Sequence, residues 1–347
     1  MGIFDALAKK ILHESLHVQK GETLTVETWN TGLELAKRVI IEARKIGAST
    51  LLLFEDEDTF VESAKTVPKE HLGTMGSHEF SLVSQTNAYI FIPGPPIAGY
   101  AKVITQDERS ATTAYNHSWY EAAEKAGLRG ARLSFGYIGD DIAKLYGKSQ
   151  KEIVNHQLKA SLVDYGKIKE QCNRIAANLA DGKDVSITSK AGTLNFTLKG
   201  DVVIEDGIVD ETDISEGKNM IYIPPGRVRK HIDPRSVNGK VEVSSAEIYS
   251  GIVEGIMLEF KEGVLQSYSA KRNAKLLDEL MEKIPADKRQ VSFIEVGINP
   301  LMRYGYAQDR FVSGAVTLGL PRLAGVLRTS ILSVNREIIE KGKKSEF

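Results

Sequence analysis

The sequence predicts an α/β protein: an N-terminal doubly wound α/β domain followed by a C-terminal α+β domain rich in antiparallel strands. Three observations carry this expectation. A chain of 347 residues is longer than one ordinary core organises, so two domains are expected. The first 150 residues alternate apolar strand runs with amphipathic helical stretches, as a parallel sheet covered on both faces requires. Beyond residue 180 the pattern changes to short alternating runs separated by glycine turns, the mark of antiparallel strands. The boundary is expected after residue 150, giving domains 1–150 and 151–347.

The elements follow in order. Ile3, Leu7, Ile11 and Leu12 share one helical face over residues 3–16. Thr23–Glu27 is a short strand, and Thr31 is positioned to cap a helix that runs to Ile46 and stops at Gly47. Ser49–Phe54 is almost wholly apolar and reads as a strand buried on both faces. Asn87–Ile92 repeats the strand and Pro93-Gly94-Pro95-Pro96 ends it. A helix over about 110–126 and a strand over 131–135 complete the first domain. Residues 149–179 form one long helical pattern that ends at Asp181-Gly182. Short strands are then expected at 184–188, 193–198, 202–204, 219–223, 240–246, 255–260 and 264–270, with a helix at 271–283.

Composition narrows the function. The chain is 42% hydrophobic and 26% charged with a formal net charge of -1, so it has no global basic field for nucleic acid or for an acidic membrane surface. Cys172 is the only cysteine, so neither an internal disulfide nor a cysteine zinc site is available; a small buried apolar role suits it better. The N-terminus lacks the apolar block of a signal peptide and no run is long enough to span a membrane, which makes a cytoplasmic location the expectation. The turn after the first strand, Trp29 to Gly32, has one glycine and no nucleotide fingerprint. His13 and His17 stand four apart on a predicted helix; with no third ligand close by, a surface pair is the better reading.

The stretch Phe293–Pro321 is the richest in chemistry. It has a carboxylate in an apolar run (Glu295), an Asn299-Pro300 turn, the pair Asp309-Arg310 and a small-residue strand from Gly314 to Leu320. Two strands and a connecting loop would make a pocket wall of it.

Several segments, taken in order, resemble the thermophilic metallo-aminopeptidase (leucyl aminopeptidase-like) family, whose fold includes a branch of dihydroxypyridine dioxygenases. They are VQKGETLTV near the N-terminus, IPPGRV (Ile223–Val228) followed by Pro234 and VNGKVEV, IEVGINP (Ile294–Pro300) and DRFVSGAVTLGLP (Asp309–Pro321). The resemblance implies an α/β N-terminal domain, a C-terminal domain with the active site, and a homodimer. It also implies a two-metal centre in the aminopeptidases and one iron in the dioxygenases. Carried over residue by residue, most of the ligands are missing. The first glutamate falls on Arg227, the second is kept as Glu295, the histidine falls on Thr317, and the closing His-x-Asp pair falls on Arg328 and Ser330.

A guanidinium only donates hydrogen bonds and stays protonated, so Arg227 and Arg328 cannot ligate a metal. One remaining glutamate does not hold a transition metal. The expectation is therefore a divergent, metal-free member, a pseudoenzyme candidate, in which arginines replace the cations. Arg227, Arg328, Arg310, Thr317 and Ser330 would bind an anionic small molecule, with Glu295 and Asp309 as candidate catalytic residues and no cofactor. Arg303 and Arg322 are near enough in sequence to join them. In a second reading Arg227 pairs with Glu295 as a structural ion pair inside a closed pocket. A third keeps aminopeptidase activity, as a hydrolase, on a divalent-metal site rebuilt from His231, Glu295 and Asp309, and a fourth keeps only a dimeric scaffold.

Overall fold

The computed structural model describes residues 2–94, 106–248, 251–335 and 337–341. Two compact units account for them: Met1–Tyr165 with Gly207–Pro224, and Gly166–Asp206 with Pro225–Phe347.

In the first unit the chain runs α1 (Ile3–Lys10), β1 (Thr23–Trp29), α2 (Leu33–Ile46), β2 (Ser49–Glu55), α3 (Glu57–Thr66), α4 (Lys69–Leu72), α5 (Ser77–Ser84), β3 (Ala88–Ile92), α6 (Gln106–Lys125), β4 (Arg129–Leu133), α7 (Asp140–Leu145) and α8 (Gln150–Ala160). The strand order is β2-β1-β3-β4, every pair parallel. Strand alternation divides the apolar residues between two faces. Ala88, Ile90 and Ile92 join a large core with α1 and α2, whereas Tyr89 and Phe91 join a smaller aromatic cluster with Trp119 and Tyr115. This is the expected doubly wound α/β layer.

Local expectations differ from the structure at several points. Gly32, not Thr31, precedes α2, because Asn30–Gly32 forms a 3-10 turn. Gly47 does stop the helix, in a left-handed conformation (φ 92°). The apolar run of β2 is not buried on both faces: it is the sheet edge, and Leu51 and Phe54 are 45% and 47% exposed. His13 lies in a wide π turn and His17 has φ 48°, so they do not share a helical face. Pro95 and Pro96 lie outside the described residues. The pattern at 149–179 is two helices, α8 and α9 (Tyr165–Asn178). Ser161 Oγ donates to the Gln157 carbonyl and the Tyr165 hydroxyl donates to the Ser161 carbonyl, which ends the first helix early. The division between units falls at Tyr165 rather than after residue 150, which leaves α8 in the first unit.

The second unit opens with α9, β5 (Asp184–Ser189) and β6 (Gly192–Glu205). The chain then returns to the first unit for α10 (Glu211–Ser215) and β7 (Met220–Ile223), which pairs parallel to β4. The run 219–223 is thus the fifth parallel strand, not an antiparallel one. A four-residue strand that supplies Ile221 and Ile223 to the first core has no period that betrays its partner. The rest is β8 (Arg227–Ile232), β9 (Asn238–Ile248), β10 (Gly251–Lys261), β11 (Val264–Ser269), α11 (Ala274–Glu282), β12 (Phe293–Gly297), β13 (Val316–Leu320), β14 (Leu323–Leu327), β15 (Ile331–Val334) and β16 (Glu337–Lys341).

These strands form one antiparallel sheet in the order β11-β10-β9-β14-β13-β12-β8-β6-β5-β15-β16. An extra β9–β6 pairing at Leu194–Gly239 and Asn195–Asn238 closes the ladder β9-β14-β13-β12-β8-β6 on itself. Closure removes two edges and buries β13 along its whole length.

A buried arginine–carboxylate network as candidate functional site

Strand register assembles this site. Arg229 on β8, Glu295 on β12, Thr317 on β13, Val326 on β14 and Ser245 on β9 lie in one row across the sheet. Two residues along β8, Arg227 stands opposite Glu205 on β6 and Gly297 on β12. Residues two apart on a strand face the same way, so Arg227 and Arg229 reach the carboxylates of both neighbouring strands.

Arg227 is 4% exposed and Glu295 is 0% exposed. Arg227 Nη1 donates to Glu295 Oε1 at 2.7 Å, its Nε donates to Glu205 Oε2 at 3.0 Å, and its Nη2 donates to Glu205 Oε1. Arg229 Nε donates to the same Glu295 Oε1 at 2.7 Å. The guanidinium of Arg227 lies 4.9 Å from the Phe311 ring and that of Arg229 lies 4.5 Å from the Phe293 ring. Burial alone would pull the Arg227 guanidinium down, but the carboxylates of Glu205 and Glu295 hold it above its ordinary value. Half-buried Arg310 shifts the other way: burial, and then the charge of Arg227, push it down by more than Glu295 and Glu205 raise it. Glu295 Oε2 and Thr317 Oγ1 are buried on adjacent strands without a hydrogen-bond partner.

Two glycines let the backbone close over this row. A Cβ on Gly297 would meet the carbonyl oxygens of Val312 and Arg310 at 2.3 and 2.5 Å. Gly226 has φ 113°, and its Cβ would stand 2.8 Å from the Asn299 nitrogen. Asn299 fixes the loop after β12: its Nδ2 donates to the Pro225 carbonyl at 2.8 Å and its Oδ1 accepts from the Leu301 nitrogen at 2.9 Å.

Asp309 and Arg328 form a second pair, with Arg328 Nη2 to Asp309 Oδ2 at 2.9 Å. Burial raises the Asp309 carboxyl despite the lowering effect of Arg328. Arg328 also accepts support from Ser244, whose Oγ takes its backbone N–H at 3.0 Å, and stacks 5.0 Å from the Tyr304 ring. Its Nε is buried without a partner, as is the hydroxyl of Ser330. Arg328 also lines a cavity of 440 Å³ within the second unit. Lys190, Lys271, Arg272 and Arg328 supply its positive charge, and Ser189, Ser244, Ser245 and Thr329 supply hydroxyls. Lys271 pairs with Glu242 at 2.5 Å and Arg272 with Glu254 at 2.9 Å.

The sequence-derived site residues thus separate into two groups. Arg227, Glu295 and Thr317 come together, and Asp309 comes together with Arg328. Arg303 and Arg322 are exposed. His231 is exposed towards the far end of β8, two register positions beyond the pairing of Arg229 with Glu295. It does not join Glu295 and Asp309: among the described residues no group of three or more His, Cys, Asp or Glu side chains stands where a metal could be held. His231, Glu295 and Asp309 therefore do not form the expected metal set in this structure. Glu205 and Arg229 were not singled out by sequence. Arg229 was findable from the alternation Arg227-Val228-Arg229, whereas Glu205 lies at the end of an apolar run whose partner only the fold reveals.

The family model described as thermophilic metalloprotease (M29) matches residues 3–287, so the match ends before Glu295. The solved structure of wild-type AmpT from Thermus thermophilus is similar, with a TM-score of 0.65 at 13% identity over 96% of this chain and 94% of that chain. At that identity the likeness carries the fold alone. No curated protein matches the chain by sequence. The family name implies a metal, and the residues here do not fit one: the carboxylates of Glu205 and Glu295 are engaged by guanidinium groups, which cannot ligate a cation. By the span of its match, the chain belongs to the thermophilic metalloprotease (M29) family.

Proposed function

We propose that this chain is a metal-free member of its family that binds a small carboxylate or phosphate anion in the cavity beside Arg328. One observation carries the reading: a 440 Å³ cavity combines four cationic side chains and four hydroxyls with the buried, unpartnered Nε of Arg328. Glu242 and Glu254 balance Lys271 and Arg272, and Asp309 holds Nη2 of Arg328, which leaves Lys190 and the Arg328 Nε for a ligand. Planar guanidinium donors and hydroxyls are the groups that recognise carboxylate and phosphate. Arg227 takes the structural role, since both of its flanking carboxylates already occupy its donors. A homodimer accompanies the reading, on the strength of the family resemblance; light scattering on the purified protein checks the dimer.

Thermal melting tests the site. Phosphate or citrate is expected to raise the melting temperature above that in chloride of equal ionic strength, and Arg328→Gln to remove the rise. No rise, or an equal rise in the variant, overturns the proposal. Leucine-amide hydrolysis with added cobalt or manganese is expected to stay at background. Turnover proportional to bound metal would restore the metallopeptidase reading.

A further inference from the structure

The first unit holds a second pocket that the reading above does not use. It measures 70 Å³ and lies on the sheet face opposite the main core. Tyr89 and Phe91 of β3 and Tyr115, Trp119 and Tyr120 of α6 wall it. Residues 115 and 119 are about one helical turn apart on α6, as are 116 and 120, so two adjacent stripes of the helix face the pocket. Trp119 packs edge-to-face with Tyr89 at 4.9 Å and with Tyr120 at 5.4 Å. The rings are therefore held in place.

Glu27 of β1 also lines this pocket. Its carboxylate accepts a hydrogen bond from the Tyr89 hydroxyl, and among the described residues it joins no ion pair. Arg132, on β4, itself lines the pocket at one end and shows what the walls accept. Its guanidinium lies over Phe91 at 5.1 Å and over Tyr137 at 5.4 Å, with hydroxyls of Tyr137 and Tyr120 as its acceptors. Glu55 and Glu79 add negative field at Glu27. Carboxylates thus outnumber cations around an aromatic cage.

We infer that this pocket binds a small organic ammonium ion, with Glu27 as counter-ion and the Trp119, Tyr89 and Tyr115 rings, which Arg132 leaves free, as the cation-binding walls. Aromatic faces attract alkylammonium groups through the ring quadrupole, and tryptophan does so most strongly. A carboxylate at the floor supplies the charge that a purely aromatic cage lacks. The volume restricts the ligand to a headgroup of a few heavy atoms, given that a liquid water occupies about 30 Å³.

Titration of the full-length chain with tetramethylammonium chloride, and separately with methylammonium chloride, tests this by tryptophan fluorescence against sodium chloride of equal ionic strength. A saturable change is expected above pH 8. It is expected to weaken at least tenfold in Glu27→Gln, and to weaken in Tyr120→Ala, a half-exposed wall residue whose loss spares the core. Glu27→Gln removes a buried charge and so keeps the fold. No saturable change in the wild type, or equal affinity in Glu27→Gln, overturns the inference. The anion cavity belongs to the other unit, so failure of either site leaves the other untouched.

Discussion

Arg227 illustrates how a single residue can be fixed by its surroundings. Removing one member of a buried ion-pair cluster leaves its partners charged and dry, which costs about 3–5 kcal/mol. Arg227→Met is therefore expected to lower stability by that order in denaturant melts, because Glu205 and Glu295 lose their shared partner. Thr317 gives the opposite expectation. Its hydroxyl is buried without a partner, so Thr317→Val is expected to be neutral or to stabilise by about 1 kcal/mol. Glu27 sets a pH dependence. Burial raises its carboxyl from 4.5 to about 7, so the folded state binds its proton more tightly than the unfolded chain does. Its contribution is then most favourable below pH 4.5 and is lost as pH rises towards 7, by up to about 3 kcal/mol. Glu27→Gln is expected to flatten that part of the stability profile.

At the scale of elements, what was legible was whatever leaves a period. The parallel α/β order, the stop at Gly47 and the β12–loop–β13 wall were all readable. The exposure of β2 was not, because an apolar edge strand and a central one look alike until neighbours are counted. Nor was the return of β7 to the first sheet. Within the site, Arg227 with Glu295 was legible from the ordered motifs, whereas Glu205 joins them only through the β6–β8 register. Gly297 tests the close approach of the loop after β12. The atoms a Cβ would meet are backbone carbonyls at 2.3 and 2.5 Å, which cannot rotate away. Gly297→Ala is expected to cost about 3 kcal/mol or more and to melt well below the wild type by circular dichroism.

For the whole molecule, the proposed reading separates family membership from chemistry. The chain belongs to a metalloprotease family, yet its carboxylates serve arginines. Guanidinium groups neutralise buried carboxylates much as a cation would, although Glu295 Oε2 keeps no partner. Among the described residues no helix is long and apolar enough to cross a membrane.

Cys172 is fully buried in α9, and its environment includes Arg227, Glu205 and Asp206; burial pushes the thiol up, out of its reactive range. Both tryptophans, Trp29 and Trp119, belong to the first unit. The unmodified protein thus carries a fluorescent reporter in one unit and a chemical one in the other. A disulfide reagent should label the native chain only as fast as the second unit opens, and Arg227→Met should hasten that labelling.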